Sequence, residues 1–277
     1  MAKYRKRLPF RVRLLIVFLV ALLAVLAVIA LLYAIGFRFV TCHRLDGTDV
    51  KFIGSIDKSG NLSAGRIMFP NGTVAEVNSI DGTIKYASGA EYKGGLSTCF
   101  EREGNGIITF SNGDSYEGAF TADVINGYGV YRYANGDIYE GNFNMGVKEG
   151  HGKFYYADGE IYEGGFIADL RDGEGKMTRP DGTSFVGTYA SGIKTGKGVY
   201  TYSNGDVYEG DFSMDMRHGT GKYIWANGEN YEGSFVNNNI TGYGTYTWVT
   251  GRASYTGYFE NGSIVLISPD NTEKGAE

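Results

Sequence analysis

Residues that usually carry chemistry are scarce in this chain. There are two cysteines, Cys42 and Cys99, and three histidines, His43, His151 and His218, in 277 residues. Two cysteines do not make a metal site. His151 and His218 fall at ordinary positions of a recurring pattern, where exposure is expected. There is no Walker loop, no His-Glu-x-x-His and no Gly-x-Ser-x-Gly. Gly-x-Gly triplets do occur, but a phosphate site would need a following helix, and none is indicated. These absences point away from an enzyme and imply no cofactor and no metal.

Charge is missing where a membrane would exclude it. The 24 residues Leu14 to Phe37 carry none, and the first 44 residues hold no acid. At ~1.5 Å per residue such a run spans roughly 36 Å as a helix, enough to cross a ~30 Å hydrocarbon core with tilt. Tyr33 and Phe37 lie near its outer end, where interfacial aromatics are favoured. A cleaved signal peptide is the competing reading, since Ala34-Ile35-Gly36 offers a small-x-small site. Its apolar core is usually ~7–15 residues, shorter than this one. Lys3, Arg5, Lys6, Arg7, Arg11 and Arg13 precede the run, and only Arg38 and Arg44 closely follow it. The excess of positive charge then keeps the N-terminus cytoplasmic and sends the remainder across the membrane.

What is abundant is glycine, 43 residues, with 22 tyrosines and 16 phenylalanines. They recur in order. Tyr116-Glu-Gly-Ala-Phe120, Tyr139-Glu-Gly-Asn-Phe143, Tyr162-Glu-Gly-Gly-Phe166, Phe185-Val-Gly-Thr-Tyr189, Tyr208-Glu-Gly-Asp-Phe212 and Tyr231-Glu-Gly-Ser-Phe235 begin 23 residues apart. A fixed period of this length marks a repeat array. Each unit has a second half such as Gly150-His-Gly-Lys-Phe-Tyr-Tyr156, followed by Asp158-Gly159 or an Asn-Gly pair. Residues two apart in a strand share a face. The pattern therefore predicts a short strand, a loop of about six residues, a second strand, and an Asn-Gly turn whose residues tolerate φ > 0. One face is aromatic and glycine; the other carries polar residues such as Glu140 and Lys153.

On these residues the chain resembles the MORN (membrane occupation and recognition nexus) repeats, with a motif close to Y-E-G-x-[FW] followed by G-x-G-x-[YF]-x-[YFW]-x-[ND]-G-[DE]. The unit at Phe185 departs in its first strand, and the unit at Tyr162 in its second, with Met177 and Arg179 where aromatics are usual. The resemblance implies an all-β repeat array, tandem β-hairpins in one elongated twisted antiparallel sheet, here preceded by a single transmembrane α-helix. The expected organisation is a basic cytoplasmic tail (1–13), a transmembrane helix (14–37), a linker (38–51), an array (52–267) and a polar tail (268–277). Within the array, 52–91 is degenerate, 92–254 regular and 255–267 a cap, with Ser263 to Ile267 as a closing strand. Units begin at Phe52, Ala75, Tyr92 and every later start through Tyr231, nine in all.

The array is acidic. Of 26 Lys and Arg, eight lie in residues 1–44, leaving 18 against 31 acids, a net of −13 for residues 45–277. Nucleic acid and anionic headgroups both call for basic patches, so neither is an expected ligand. Glu117, Glu140, Glu163, Glu209 and Glu232 form a ladder on the polar face; Asp114, Asp137, Glu160, Asp206 and Glu229 follow the turns. The bland reading of both is a solvated face with turn chemistry; the sharper is a Ca²⁺ or cationic-partner surface. Cys42 abuts the span while Cys99 sits in a repeat loop, which weighs against their pairing.

Tyr116, Phe120, Tyr139, Phe143, Tyr162, Phe166, Tyr208, Phe212, Tyr231 and Phe235 are the candidate binding residues. A single-layer sheet has no second layer to cover them, so they are core rings that are also expected to line an open groove. The expected function is that of a membrane-anchored, non-catalytic scaffold that engages a protein partner. Cell-envelope glycan binding is the alternative, and a third reading is a cytoplasmic array bridging to a second membrane through phospholipid. Pairing of arrays into homo-oligomers stays open.

Overall fold

The computed structural model describes residues 9–249 and 254–266. Lys3, Arg5, Lys6 and Arg7, Ile267 of the expected closing strand, and the 268–277 tail lie outside them.

A helix, α1 (Phe10–Ala34), comes first, and none of its residues is buried. It is shifted from the expected 14–37 span. Pro9 precedes its first turn, and Gly36, at φ 91°, ends it. A glycine in the left-handed region is a common helix stop because it has no Cβ to clash. Arg11 and Arg13 thus belong to the first turn of the helix rather than to a tail.

No free linker follows. The 38–51 stretch supplies most of β1 (Phe37–His43) and the start of β2 (Asp49–Ile56), which pair antiparallel from Phe37↔Ser55 to His43↔Asp49. The Gly36 carbonyl accepts from Ile56 N–H, and Arg38 donates to the Tyr33 carbonyl while lying 3.9 Å from the Tyr33 ring centroid. Helix and first hairpin are therefore joined without slack.

The chain forms two compact units, one of residues up to Ser111 with Phe120–Asp123, the other of Asn112–Ala119 and the residues from Val124 on. The first continues with β3 (Leu62–Met68), β4 (Val74–Asn78), β5 (Thr83–Tyr86), β6 (Glu91–Leu96) and β7 (Arg102–Thr109), each antiparallel to its predecessor. Its core includes Phe52, Ile67, Ile84, Tyr92 and Phe100. Cys42 and Cys99 are joined in a disulfide with 5.6 Å between Cα atoms, the pairing that their positions in the sequence weigh against without excluding. The Tyr92 unit is one residue longer than the regular 23-residue units, and Phe100, at φ 58°, stacks on Phe52 at 5.2 Å. That insertion carries the neighbouring Cys99 to β1. Arg44, 8 % exposed, pairs with Asp123, which also holds Arg102 at 3.1 Å. Buried charges persist only when paired in this way.

After β8 (Ser115–Thr121) the second unit runs β9 (Val124–Arg132), β10 (Ile138–Asn144), β11 (Val147–Tyr155), β12 (Ile161–Ile167), β13 (Leu170–Thr178), β14 (Ser184–Ala190), β15 (Ile193–Thr201), β16 (Val207–Ser213), β17 (Met216–Ile224), β18 (Asn230–Val236), β19 (Asn239–Thr247), β20 (Tyr255–Glu260) and β21 (Ser263–Val265). From β9 onward each strand is antiparallel to the next. With α1, the described residues form one helix followed by 21 antiparallel strands, a tandem β-hairpin array.

The loop and the turn within each unit differ from expectation. The expected six-residue loop is absent. Met145 (φ 49°) and Gly146 (φ 87°) make a two-residue turn between β10 and β11, with both φ positive as a primed hairpin turn requires. Ala168-Asp169, Ser191-Gly192, Met214-Asp215 and Asn237-Asn238 do the same. The remaining loop residues are taken up by a bulge, where the register jumps from Gly141↔Gly152 to Phe143↔Lys148. The Asn-Gly turn is also different, since only Gly136 has positive φ, at 96°. Gly136 N–H donates to the Tyr133 carbonyl, closing a four-residue turn with a left-handed glycine at its end.

Candidate binding face

The regular repeats build their packed face around one ring, a tyrosine except at Phe185, laid flat over two glycines. Gly141 and Gly152 are directly opposite, and Tyr139 on the same face covers both. A Cβ at Gly152 would lie 2.6 Å from Tyr139 Cε2, so no other residue fits beneath the ring. The Tyr139 hydroxyl donates to the Asn142 carbonyl at 3.0 Å. Phe143 then stands edge-on to Tyr139 and to Tyr116 of the preceding repeat, with centroids 5.1 and 5.3 Å apart. Edge-on pairs of this kind are favoured by the ring quadrupole.

This arrangement corrects the expected site. Tyr116, Phe120, Tyr139, Phe143, Tyr162, Phe166, Tyr208, Phe212, Tyr231 and Phe235 are each at most 5 % exposed. They cannot line an open groove, because the phenylalanines of adjacent repeats cap the tyrosines and the array supplies its own second layer. Burial pushes the hydroxyls of Tyr116 and Tyr162 up to about 12.

The exposed aromatic surface comes from the second strands, which the sequence reading had not singled out as a site. Tyr131 and Phe154 are cross-strand partners of Tyr139 and so share its face. Tyr131, Tyr133, Phe154 and Tyr156 form one half-buried run; Tyr200, Tyr202, Tyr223, Trp225, Tyr246 and Trp248 form another. Neighbouring rings within the runs have centroids 4.5 to 5.9 Å apart. Met177 and Arg179 occupy the corresponding positions between the runs and break the row.

A second ladder lies over these rings. Lys148, Arg171, Lys194 and Arg217 recur at the 23-residue step, each the second residue after a two-residue turn. Lys148 Nζ lies 5.5 Å from the Phe154 centroid, and the Arg217 guanidinium 5.0 Å from that of Tyr223. Lys148 and Lys194 are paired with Asp169 and Asp215 at 3.3 and 3.6 Å. Arg171 and Arg217 donate instead to the carbonyls of Gly192 and Asn238.

The acids after the turns stitch repeats together. Asp114 accepts from Tyr131 and from Ala134 N–H, and Asp206 accepts from Tyr223 and Ala226 N–H. The Tyr223 hydroxyl, foremost, holds the Asp206 carboxyl below its ordinary range. The glutamate ladder is on the opposite face, where Lys153–Glu163 and Lys222–Glu232 pair across strands at 3.4 and 3.9 Å. A shallow trough crosses that face between Val199, Glu209, Lys222, Glu232 and Tyr243. Its lining is mostly polar or glycine, with no ring row. Among the described residues no group of three or more His, Cys, Asp or Glu could hold a metal ion.

The fold and its face together define a tandem β-hairpin repeat protein with one ring-lined face. Residues 101–115, 116–138, 139–161, 162–184, 185–207, 208–229 and 231–251 match the MORN repeat, together more than half of the chain. The protein belongs to the MORN repeat family. No curated protein matches it. Among solved structures it is similar to the SAS-4 (dCPAP) TCP domain of Drosophila melanogaster, in complex with a proline-rich motif of Ana2 (dSTIL). That likeness has 21 % identity over 57 % of this chain and 85 % of that one, with a TM-score of 0.36. It is also similar to the wild-type TCP10 domain of Danio rerio CPAP, at 14 % identity over 70 % of this chain and 94 % of that one, TM-score 0.23. Likeness of this degree says nothing about partners.

Proposed function

We propose that this protein is a membrane-tethered, non-catalytic scaffold whose half-exposed aromatic row captures a segment of a partner protein. The row itself carries the reading. Unlike the core tyrosines, its rings keep part of their surface in water, and aromatic anchors of this kind dominate protein recognition. The rings are tilted on one another, 41° between Phe154 and Tyr156 and 54° between Tyr223 and Trp225. They do not present a flat stacking platform of the kind a sugar chain would use. The −13 charge of residues 45–277 works against anionic lipid.

The tether is α1, an exposed apolar helix of 25 residues, ~37 Å at ~1.5 Å per residue, long enough to cross a membrane. A signal sequence would have the same appearance near an N-terminus. The Cys42–Cys99 disulfide favours an array in an oxidising compartment, beyond the membrane. The basic residues that precede the span favour the same placement.

The test is co-purification of the full-length protein from its native membrane. Replacing Tyr202 and Trp225 by Ala is expected to release the bound protein, whereas replacing Glu209 and Glu232 by Ala on the opposite face is not. Equal retention by both pairs would remove the aromatic row from the reading.

A further inference from the structure

The break in the aromatic row falls beside Arg171, one of two ladder cations, with Arg217, that have no carboxylate at ion-pair distance among the described residues. Met177 stands opposite Phe185 and Tyr162, and Arg179 follows it toward the turn. In three repeats the laddered cation lies over a second-strand ring: Lys148 over Phe154 at 5.5 Å, Lys194 over Tyr200 at 5.6 Å, and Arg217 over Tyr223 at 5.0 Å. Arg171 has Met177 at that position instead. Its guanidinium lies over Tyr162 and Tyr189, 5.7 and 5.0 Å from their centroids, and donates to the Gly192 carbonyl at 3.0 Å. Among the described residues Arg171 is within ion-pair distance of no carboxylate.

Arg179 and Lys194 line a small cavity in this gap in the row, with Met177, Phe185 and Tyr200. Each is paired with one acid, Glu160 and Asp215 respectively. Of the three cations, only Arg171 has no carboxylate at ion-pair distance among the described residues, while Asp181 is a further acid acting on Arg179. A third departure from the repeat pattern falls here too. Tyr189 takes the place of the usual phenylalanine, is 2 % exposed, and its hydroxyl has no hydrogen-bond partner. An unmet buried hydroxyl is a cost that phenylalanine would avoid. Three deviations from one motif within a single patch indicate that the patch is built for something besides packing.

We infer that the gap receives an acidic side chain of the partner segment, its carboxylate on Arg171, with apolar side chains of the same segment seated on the runs to either side. This rests on the protein-capture reading and names the chemistry of the captured segment. Charge complementarity selects the occupant, because a carboxylate completes the pairing that the gap leaves open. Arginine also forms the stronger, bidentate bonds to carboxylate.

The experiment pans a displayed library of random twelve-residue peptides against the full-length protein in neutral phosphatidylcholine nanodiscs. Enriched sequences are expected to hold Asp or Glu flanked by apolar residues. The leading peptide should lose about tenfold in affinity on Arg171→Gln, and about tenfold when its own acid is made the amide. Both changes together should cost little more than either alone, as for a directly coupled pair. Arg171→Lys should recover part of the loss, and Lys222→Gln on the opposite face should change nothing. Unaltered circular dichroism and melting of the variants establish that they fold. Enrichment without acidic residues, or affinity indifferent to Arg171→Gln, overturns the inference and leaves the protein-capture reading standing. No enrichment, or binding of chito-oligosaccharide or phosphatidylglycerol vesicles in place of peptide, overturns both.

Discussion

Gly150 and Gly152 are two residues apart and glycine for different reasons. Gly150 has φ 75° and forms the bulge, while Gly152 lies in a pleated strand beneath Tyr139. Gly150→Ala meets only Asn142 atoms at 3.9 Å, so its cost is backbone strain of about 1–2 kcal/mol. Gly152→Ala must displace the buried Tyr139 ring, and overpacking of this kind costs about 1–3 kcal/mol. Urea titration of the two variants is expected to rank Gly152→Ala as the worse; the reverse order would show that the ring is not seated as described. The tyrosines make a second prediction. Burial raises Tyr92, Tyr116 and Tyr162 to about 12, above the ordinary 10.0. A group whose folded value is raised gives stability that is complete below pH 10 and is lost as pH climbs through the folded value. The array should therefore weaken between about pH 10 and 12, with the tyrosinate of the buried rings appearing together with unfolding. Complete ionisation of the tyrosines while the fold is still intact would contradict it. Residue types and faces were legible from the period, because tyrosine two residues from glycine fixes both on one side. Which rings stay wet was not legible, since the phenylalanine of one repeat covers the tyrosine of another across two strands.

At the scale of the element, the hairpin was readable and its turns were not. Alternation placed the strands, but Gly150-His-Gly can begin either after a loop or within a bulged strand, and only pairing with β10 decides. The same holds for β1, where Phe37-Arg-Phe-Val-Thr reads as linker beside an apolar run until β2 is there to pair with it. Cys42 and Cys99 are separated by 57 positions, a distance that no local pattern bridges. The extra residue in the Tyr92 unit was the one visible sign that this loop does something unusual. The disulfide closes a long loop over the first three hairpins. Replacing both cysteines by Ser should cost about 2–4 kcal/mol. In a repeat array stability is nearly a sum of neighbour terms, so the loss should concentrate before Ser111. Hydrogen exchange is expected to rise in β1–β7 and change little in β14–β19. A uniform rise along the whole chain would contradict this.

At the scale of the molecule, a charge-free run, a disulfide and a ring-lined repeat face combine into one account. The direct passage from α1 to β1, with Gly36 bonded to Ile56, holds the first hairpin next to the end of the helix. If the helix spans a membrane, protease added outside intact cells should reach the array, and protection of the array would reverse the proposed orientation. The central claim is capture of protein on the aromatic row, and photo-cross-linking in the native membrane tests it most directly. A benzophenone amino acid is placed singly at Tyr133, Tyr202 or Trp225 on the row, and at Glu117, Glu163 or Glu209 on the opposite face, in the full-length chain. The account predicts that the three row positions form one shared protein adduct on irradiation and that the three glutamate positions do not. Adducts from the glutamate positions alone, or none from the row, would contradict it.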